Sequence, residues 1–363
     1  MTTASTLRRR RAAVGLALAG ALALSACASN SATAPTATDQ AADGKGLPLK
    51  EPDVNGDGKV VIGVLSPGDI NDRGFYQSFV DSAEAFAKKQ GWTVIKRGSV
   101  DATDGLSAAR ALCQQHVDLI ALGGTDLKAA IPASEEPVCA KTAWYVPAAK
   151  GVVTESPKIL LSTDNPNQTQ LAGGYAAGLK MKAAGVTTAG FVTGPKAAFS
   201  VAGARAFTAG IREVIPNAKV LVTYTGDYND SAKAKEAMQA QISQGAKLIY
   251  PNLGGATDAA TKLANANGVM TLTPGTDRCS STDPKFDISV LFSPGSYFLA
   301  ALEEFAKNNL KMGTTRVWQM GVDPYPAVKF CDPKGDEAKK LTEFMKKIGN
   351  KEIDADAEVK RLS

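Results

Sequence analysis

From Val60 onward the chain repeats one unit: a short apolar run, a loop rich in Gly, Asp or Asn, then an amphipathic segment. This pattern constrains the fold more than any other feature, because strand–helix alternation with short connections implies a parallel sheet covered by helices. The stretch Val60 to Gln77, VVIGVLSPGDINDRGFYQ, is the first instance. It predicts a buried strand, a polar loop with Gly68, Asp69, Asn71 and Asp72, and a helix opening near Gly74 and Phe75. Such a unit places polar side chains and a helix N-terminus at the carboxyl edge of a sheet, where ligands bind.

The rhythm continues with expected strands at Val61–Ser66, Thr93–Lys96, Leu119–Gly123, Trp144–Val146 and Ile159–Ser162. Expected helices span Gly74–Gln90 and Leu106–Gln115, the first with Phe75, Phe79, Ala83 and Phe86 at helical spacing. A second series follows. Helices are expected at Gln168–Ala184, Ala202–Val214, Ser231–Gln244 and Thr257–Asn267, with strands at Thr188–Thr193, Val220–Thr225, Leu248–Asn252 and Val269–Thr273. Strands at Ile288–Phe292 and Arg316–Met320 flank a helix at Tyr297–Asn308, and Asp336–Ile348 forms a last helix. Lys351 to Ser363 carries little apolar content and is expected to fray. Two α/β lobes of normal domain size suggest a clamshell with its ligand between them. No helix-turn-helix segment precedes the first strand, which argues against a repressor on the same scaffold.

The chain has 363 residues, 44% hydrophobic and 21% charged, a globular composition long enough for two domains. Its first residues have the form of an export signal: Arg8, Arg9, Arg10 and Arg11, then an Ala-rich apolar run from Ala12 to Leu24 that is short for a membrane span. The run ends in Leu24-Ser25-Ala26-Cys27, which resembles a bacterial lipobox. That resemblance implies cleavage before Cys27 and a lipid on its sulfur; the alternative is an ordinary signal peptide with an incidental Cys. Residues 1–26 are thus the expected signal peptide. Residues 27–58, rich in Ala, Ser, Thr, Asn, Gly and Pro, are the expected tether. The four signal arginines account for most of the formal charge of +5, so the remainder is near neutrality. Nothing there points to nucleic acid or to an electrostatic grip on membranes.

Beyond Cys27 the cysteines are Cys113, Cys139, Cys279 and Cys331. An even number in an exported chain allows disulfides. Four cysteines permit three connectivities, and sequence does not choose among them. Local loop closure favours Cys113–Cys139 with Cys279–Cys331, and four buried free thiols are the alternative. Zinc is disfavoured, since there is no CxxC and the only histidine is His116. Asp53-Val-Asn55-Gly-Asp57-Gly58 begins like a calcium loop, but the twelfth position, which needs a carboxylate, is Val64. It reads as a polar turn. No metal and no cofactor are expected.

Five expected strands run into loops of one kind: Ser66-Pro-Gly-Asp-Ile-Asn-Asp72, Gly123-Gly-Thr-Asp126, Gly226-Asp-Tyr-Asn-Asp230, Leu253-Gly-Gly255 and Pro274-Gly-Thr-Asp277. In a parallel sheet such loops share one edge. Glycine lets backbone N–H groups approach a ligand, and carboxylates take hydroxyl or ring N–H donors. Each loop alone is ordinary turn chemistry. Together, across two lobes, they indicate a cleft. Phe75 and Tyr228 stand beside these loops and, from opposing lobes, would sandwich a flat ring. Alternatively, Phe75 is a core residue at a helix start and Tyr228 an exposed turn tyrosine.

From Val60 to about Val322 the chain resembles the basic membrane protein (BMP) family of lipoproteins, the substrate-binding components of ABC transporters, many of which bind purine nucleosides. The resemblance is carried by Asn71-Asp-Arg-Gly-Phe-Tyr-Gln-Ser78, Leu171-Ala-Gly-Gly-Tyr-Ala-Ala-Gly178, Ala189-Gly-Phe-Val-Thr-Gly194 and Ala204-Arg-Ala-Phe-Thr-Ala-Gly-Ile211. Val220-Leu-Val-Thr-Tyr-Thr-Gly-Asp-Tyr-Asn-Asp-Ser-Ala-Lys-Ala-Lys-Glu236 is the most specific, followed by Gln244-Gly-Ala and Gly254-Gly. It implies a type I periplasmic-binding-protein fold, two Rossmann-like lobes with a hinge and an interlobe cleft. The implied lobes are residues 59–165 plus about 278–325, and 166–277, with 326–363 as a C-terminal helix and tail. It also implies ligand-binding residues: Asn71 and Asp72 in the first loop, Phe75 and Tyr228 as stacking aromatics, the Gly254–Gly255 pair, and Asp277 on ribose hydroxyls. Asp126 matches by position alone. Two departures bear on the ligand. Ser289 is followed by Phe292 where the family has lysine, and Arg73-Gly74 stands where Lys-Ser is usual.

The implied function is an exported, lipid-anchored receptor on the outer face of the cell membrane. It would act as a monomer, close on a nucleoside-like solute and deliver it to an ABC permease. A sugar ligand and a surface receptor without transport are alternatives. A hydrolase using Asp72 and Asp277 as a carboxylate pair is a further one, opposed by the lack of a nucleophile elbow or metal cluster.

Overall fold

The computed structural model describes residues 50–72, 74–148 and 152–362. The signal segment, Cys27 and the tether up to residue 49 lie outside the described residues, as does Arg73. In chain order the elements are β1 (Val61–Leu65), α1 (Phe75–Gln90), β2 (Thr93–Arg97), α2 (Gly105–Cys113), β3 (Leu119–Leu122), β4 (Ala143–Pro147), β5 (Leu160–Thr163) and α3 (Pro166–Ala183). Then come β6 (Thr188–Thr193), α4 (Ala198–Val214), β7 (Lys219–Tyr224), α5 (Ser231–Ser243), β8 (Leu248–Asn252), α6 (Thr257–Ala266) and β9 (Met270–Gly275). The chain ends with β10 (Ile288–Leu291), α7 (Pro294–Ala306), β11 (Thr314–Val317), β12 (Ala327–Phe330), α8 (Glu337–Gly349) and α9 (Ala355–Arg361).

The strands form two six-stranded sheets, ordered β11-β5-β4-β3-β1-β2 and β12-β10-β9-β8-β6-β7. Every recorded pairing is parallel except that of β12 with β10. Side-chain alternation along buried strands feeds a core on each face. In the first lobe Ile62, Val64, Leu119 and Tyr145 meet Phe79 of α1 and Phe298 of α7, while Leu65, Ile120, Leu122 and Trp144 meet Leu112 of α2. In the second, Phe191 and Tyr250 meet Phe207 of α4 and the α3 face, while Val192 and Ile249 pack under α5 and α6.

Three expectations give way. Ile288–Leu291, expected with the first lobe, lies in the second sheet, where Ile288 pairs with Leu272 of β9. The return to the first lobe comes at Phe292 and Ser293, ahead of α7, whose Phe298 and Phe305 belong to the first lobe's core. The C-terminal segment does not fray. It forms α9, capped by Asp354, and buries Ala355 and Val359 against the second lobe. Residues 50–58, expected in the tether, are tied down: Asn55 N–H donates to the buried Asp118, and Leu310 N–H to Glu51. The polar turn closes on Asp53, whose carboxylate accepts N–H groups of Gly56, Asp57 and Gly58.

Glu51 gives this clasp a pH dependence. Burial, partly offset by the backbone N–H groups of Leu310 and Asn309, pushes its carboxyl from 4.5 to about 7. The folded state therefore keeps a proton that the unfolded chain releases, so stability falls as pH rises from 4.5 to about 7. Glu51→Gln should flatten that slope in urea melts across the window; an unchanged slope would show that Glu51 does not cause it.

The crossings between lobes meet at a polar hinge. Tyr297 of α7 donates to Asp164, just after β5, at 3.0 Å, and stacks on Trp318 at 5.0 Å between centroids. The Trp318 indole N–H donates to Ser162, which also takes the Tyr145 hydroxyl. Burial pushes Asp164 up, partly offset by the Tyr297 hydrogen bond.

Candidate functional site

The carboxyl edge of the first sheet carries the loop from β1 to α1. Asp72 is committed to it: Oδ1 accepts from the N–H groups of Gly74 and Gln77, and Oδ2 from Tyr76 N–H. It holds the free N–H groups at the start of α1 and gives that helix end a negative charge. Asn71 is exposed and bonds to Asp69. Phe75 is 39% exposed, so it is no core residue. Its ring meets Tyr76 edge-on, centroids 5.3 Å apart. Asp126 lies exposed in the first turn of the 3-10 segment after β3.

Tyr76, not singled out by its sequence context, stands at the centre of this wall. Burial, then the charges of Asp126 and Asp72 and the phenol of Tyr228, push its hydroxyl up to about 12. Tyr228 belongs to the other lobe, so the two phenols come within electrostatic reach across the cleft.

On the second lobe Tyr228 is half-buried, with its hydroxyl 3.1 Å from Ser200 Oγ of α4. Its carbonyl accepts from Gly254 N–H and Ala256 N–H, and Asn229 Oδ1 accepts from Gly255 N–H at 2.8 Å. The glycine pair therefore spends its N–H groups fixing the Tyr228 loop. A Cβ on Gly254 would lie 2.8 Å from Asn229 Oδ1, which explains why glycine stands there. Asn229 is thus a positioning residue that the loop composition hinted at and did not single out.

Asp277 makes its own set of contacts. After β9 its loop folds back over β10, and its carboxylate accepts from Ser289 Oγ and Cys279 N–H and pairs with Lys329. Burial works against its ionisation, but the Lys329 hydrogen bond and charge, Cys279 N–H and the Ser289 hydroxyl outweigh it and hold the carboxyl below its usual range. Lys329 lies opposite Ser289 in the β10–β12 register. A cation thus accompanies Asp277 from a neighbouring strand, although Phe292 occupies the late-strand position.

Cys279 is joined to Cys331, just after β12, and Cys113 to Cys139. The first of these bridges ties the Asp277 loop to the strand carrying Lys329. Among the described residues, no group of three or more His, Cys, Asp or Glu could hold a metal ion, and no helix is long and apolar enough to cross a membrane.

Residues 59–360 match the family model described as ABC transporter substrate-binding protein, PnrA-like, or Bmp. Over 200 residues the chain is 27% identical to a CD4+ T-cell-stimulating antigen of Listeria innocua, covering 53% of this chain and 54% of that protein, so it spans about half the length of this curated relative. Among solved structures, an ABC transporter system solute-binding protein from Conexibacter woesei superposes with a TM-score of 0.65 at 22% identity, covering 81% of this chain and 97% of that one. One from Aeropyrum pernix gives 0.62 at 17% identity, covering 84% and 90%. At these identities the structural likeness is one of fold.

Proposed function

We propose, for a chain that belongs to the Bmp family of ABC transporter substrate-binding proteins, that it captures a nucleoside or a related small polar ring compound between its lobes and delivers it to a permease. What supports this reading is the set of groups that the lobes bring into electrostatic reach: the Tyr76 phenol, with Phe75 edge-on to its ring and the carboxylates of Asp126 and Asp72 near it, and the Tyr228 phenol of the other lobe. Aromatic faces hold a flat ring by stacking, at about 1–3 kcal/mol per base in single-strand nucleic-acid binders. Exposed Asp126 is placed to accept a hydroxyl or ring N–H donor, while Asp72 fixes the start of α1. The ligand shifts the lobes toward closure by binding the closed state better than the open one.

Asp277 with Lys329 offers a paired acceptor and donor that suits adjacent hydroxyls, on a ribose or on a free sugar. A sugar is therefore the second reading. A thermal-shift panel of nucleosides, bases and monosaccharides separates the two. At a hundred times its dissociation constant a ligand adds about 2.7 kcal/mol to native stability. Shifts from nucleosides support the first reading, shifts from sugars alone support the second, and a flat panel counts against both.

In this reading the receptor works as a monomer, anchored to the outer face of the cell membrane by a lipid on Cys27. The Cys27→Ser chain should then leave the membrane fraction. Retention there at the wild-type level would argue against the anchor.

A further inference from the structure

The two sheets end in matching crevices. Strand order reverses between β1 and β3 in the first sheet and between β6 and β8 in the second. Open α/β sheets hold ligands at such reversals, outside the carboxyl ends of the strands. Here a glycine follows each of the four strands: Gly68 and Gly124 in the first lobe, Gly194 and Gly254 in the second. A tyrosine lies across each pair. A Cβ on Gly194 would sit 2.6 Å from the Tyr228 ring, and one on Gly254 3.4 Å from the Tyr228 Cβ. In the first lobe a Cβ on Gly68 would run into the Tyr76 ring, and one on Gly124 would lie 3.9 Å from it. Tyr76 is therefore the positional counterpart of Tyr228, and Phe75 packs against its edge.

We propose that Tyr76 determines specificity, its ring forming the first lobe's floor of the cleft and its hydroxyl donating a hydrogen bond to the captured solute. This rests on the solute-capture reading above. The Gly68 cradle sets where the ring lies, and α1, held at its start by Asp72, sets its height above the sheet. A phenol is a donor at neutral pH, and burial of this one, with the charges of Asp126 and Asp72 beside it, extends that state further into the alkaline range. A solute that fits must present an acceptor to the first lobe while its flat face meets Tyr228.

The test is calorimetry with whichever of adenosine, guanosine, inosine, uridine, adenine, ribose and glucose stabilises the wild-type chain most. Tyr76→Phe keeps the ring and should weaken that probe about tenfold or more, with the melting temperature of the unliganded chain unchanged. Gly68→Ala should weaken it too, by pushing the ring from its cradle, and adding Gly68→Ala to Tyr76→Ala should cause no further loss. Undiminished affinity in Tyr76→Phe, with binding lost in Tyr228→Ala, overturns the role of Tyr76 and leaves solute capture standing. A wild-type chain that none of the probes stabilises overturns the capture reading and, with it, the role of Tyr76.

Discussion

Tyr228→Ala should lower affinity for the captured solute about 5- to 150-fold, the range that corresponds to losing about 1–3 kcal/mol of stacking. Tyr228→Phe should retain most of the affinity, since the ring stays over Gly194 and only the hydroxyl contact with Ser200 goes. The side chain is half-buried and packs against the second core cluster of its lobe, so Tyr228→Ala should also lower the unliganded melting temperature modestly. Calorimetry on both variants separates the effects. Equal losses in Phe and Ala would assign the contribution to the hydroxyl and exclude stacking. Unaltered affinity in Ala would remove Tyr228 from the site.

What was legible in the sequence follows from where burial leaves a pattern. Strands buried on both faces read as short apolar runs, so β1, β3, β6 and β8 stand out, and each runs into a glycine-bearing loop at the carboxyl edge of its sheet. Sheet membership leaves no such trace. β10 is as apolar as its neighbours, and only its register with β9 places it in the second lobe. β12 escapes because Ala327–Phe330 is four residues long and follows Pro326 on a sheet edge. α9 escapes because its buried anchors, Ala355 and Val359, are small, and its polar tie, Asp356 accepting from Asn165 and Asn167, comes from a distant segment. In the site, Phe75 drew attention as the aromatic at the helix start, while the glycine cradle belongs to Tyr76 beside it. Gly68 and Gly124 carried the signal, but only the paired strands show that they lie under one ring. Asp277 matched the family pattern in sequence, and its folded partners, Ser289 and Lys329, come from segments too distant in the chain to be paired by inspection.

Gly210→Ala should be among the most destabilising single-methyl additions in this chain. α3 and α4 pack backbone to backbone through two glycines: a Cβ on Gly174 would collide with the Phe207 carbonyl, and one on Gly210 with the Leu171 carbonyl. The Gly210 Cβ would also lie 2.6 Å from Tyr175 N. These obstacles are helix backbone, which cannot swing aside as a side chain does, so the helices must separate. Overpacking a core costs about 1–3 kcal/mol, occasionally more, and a backbone obstacle places this case near the upper end. For a lobe of this size about 3 kcal/mol lowers the melting temperature by about 6–12 °C. The effect should reach the cleft, because α3 begins at the Asp164 crossing and the first turn of α4 carries Ser200, the partner of the Tyr228 hydroxyl. Gly210→Ala should therefore weaken solute binding even below its melting transition, whereas Gly185→Ala, at a positive-φ turn after α3 with open space around it, should cost only its local backbone strain and leave affinity intact. Equal melting temperatures for Gly210→Ala and the wild type would mean that the two helices are not held by this contact.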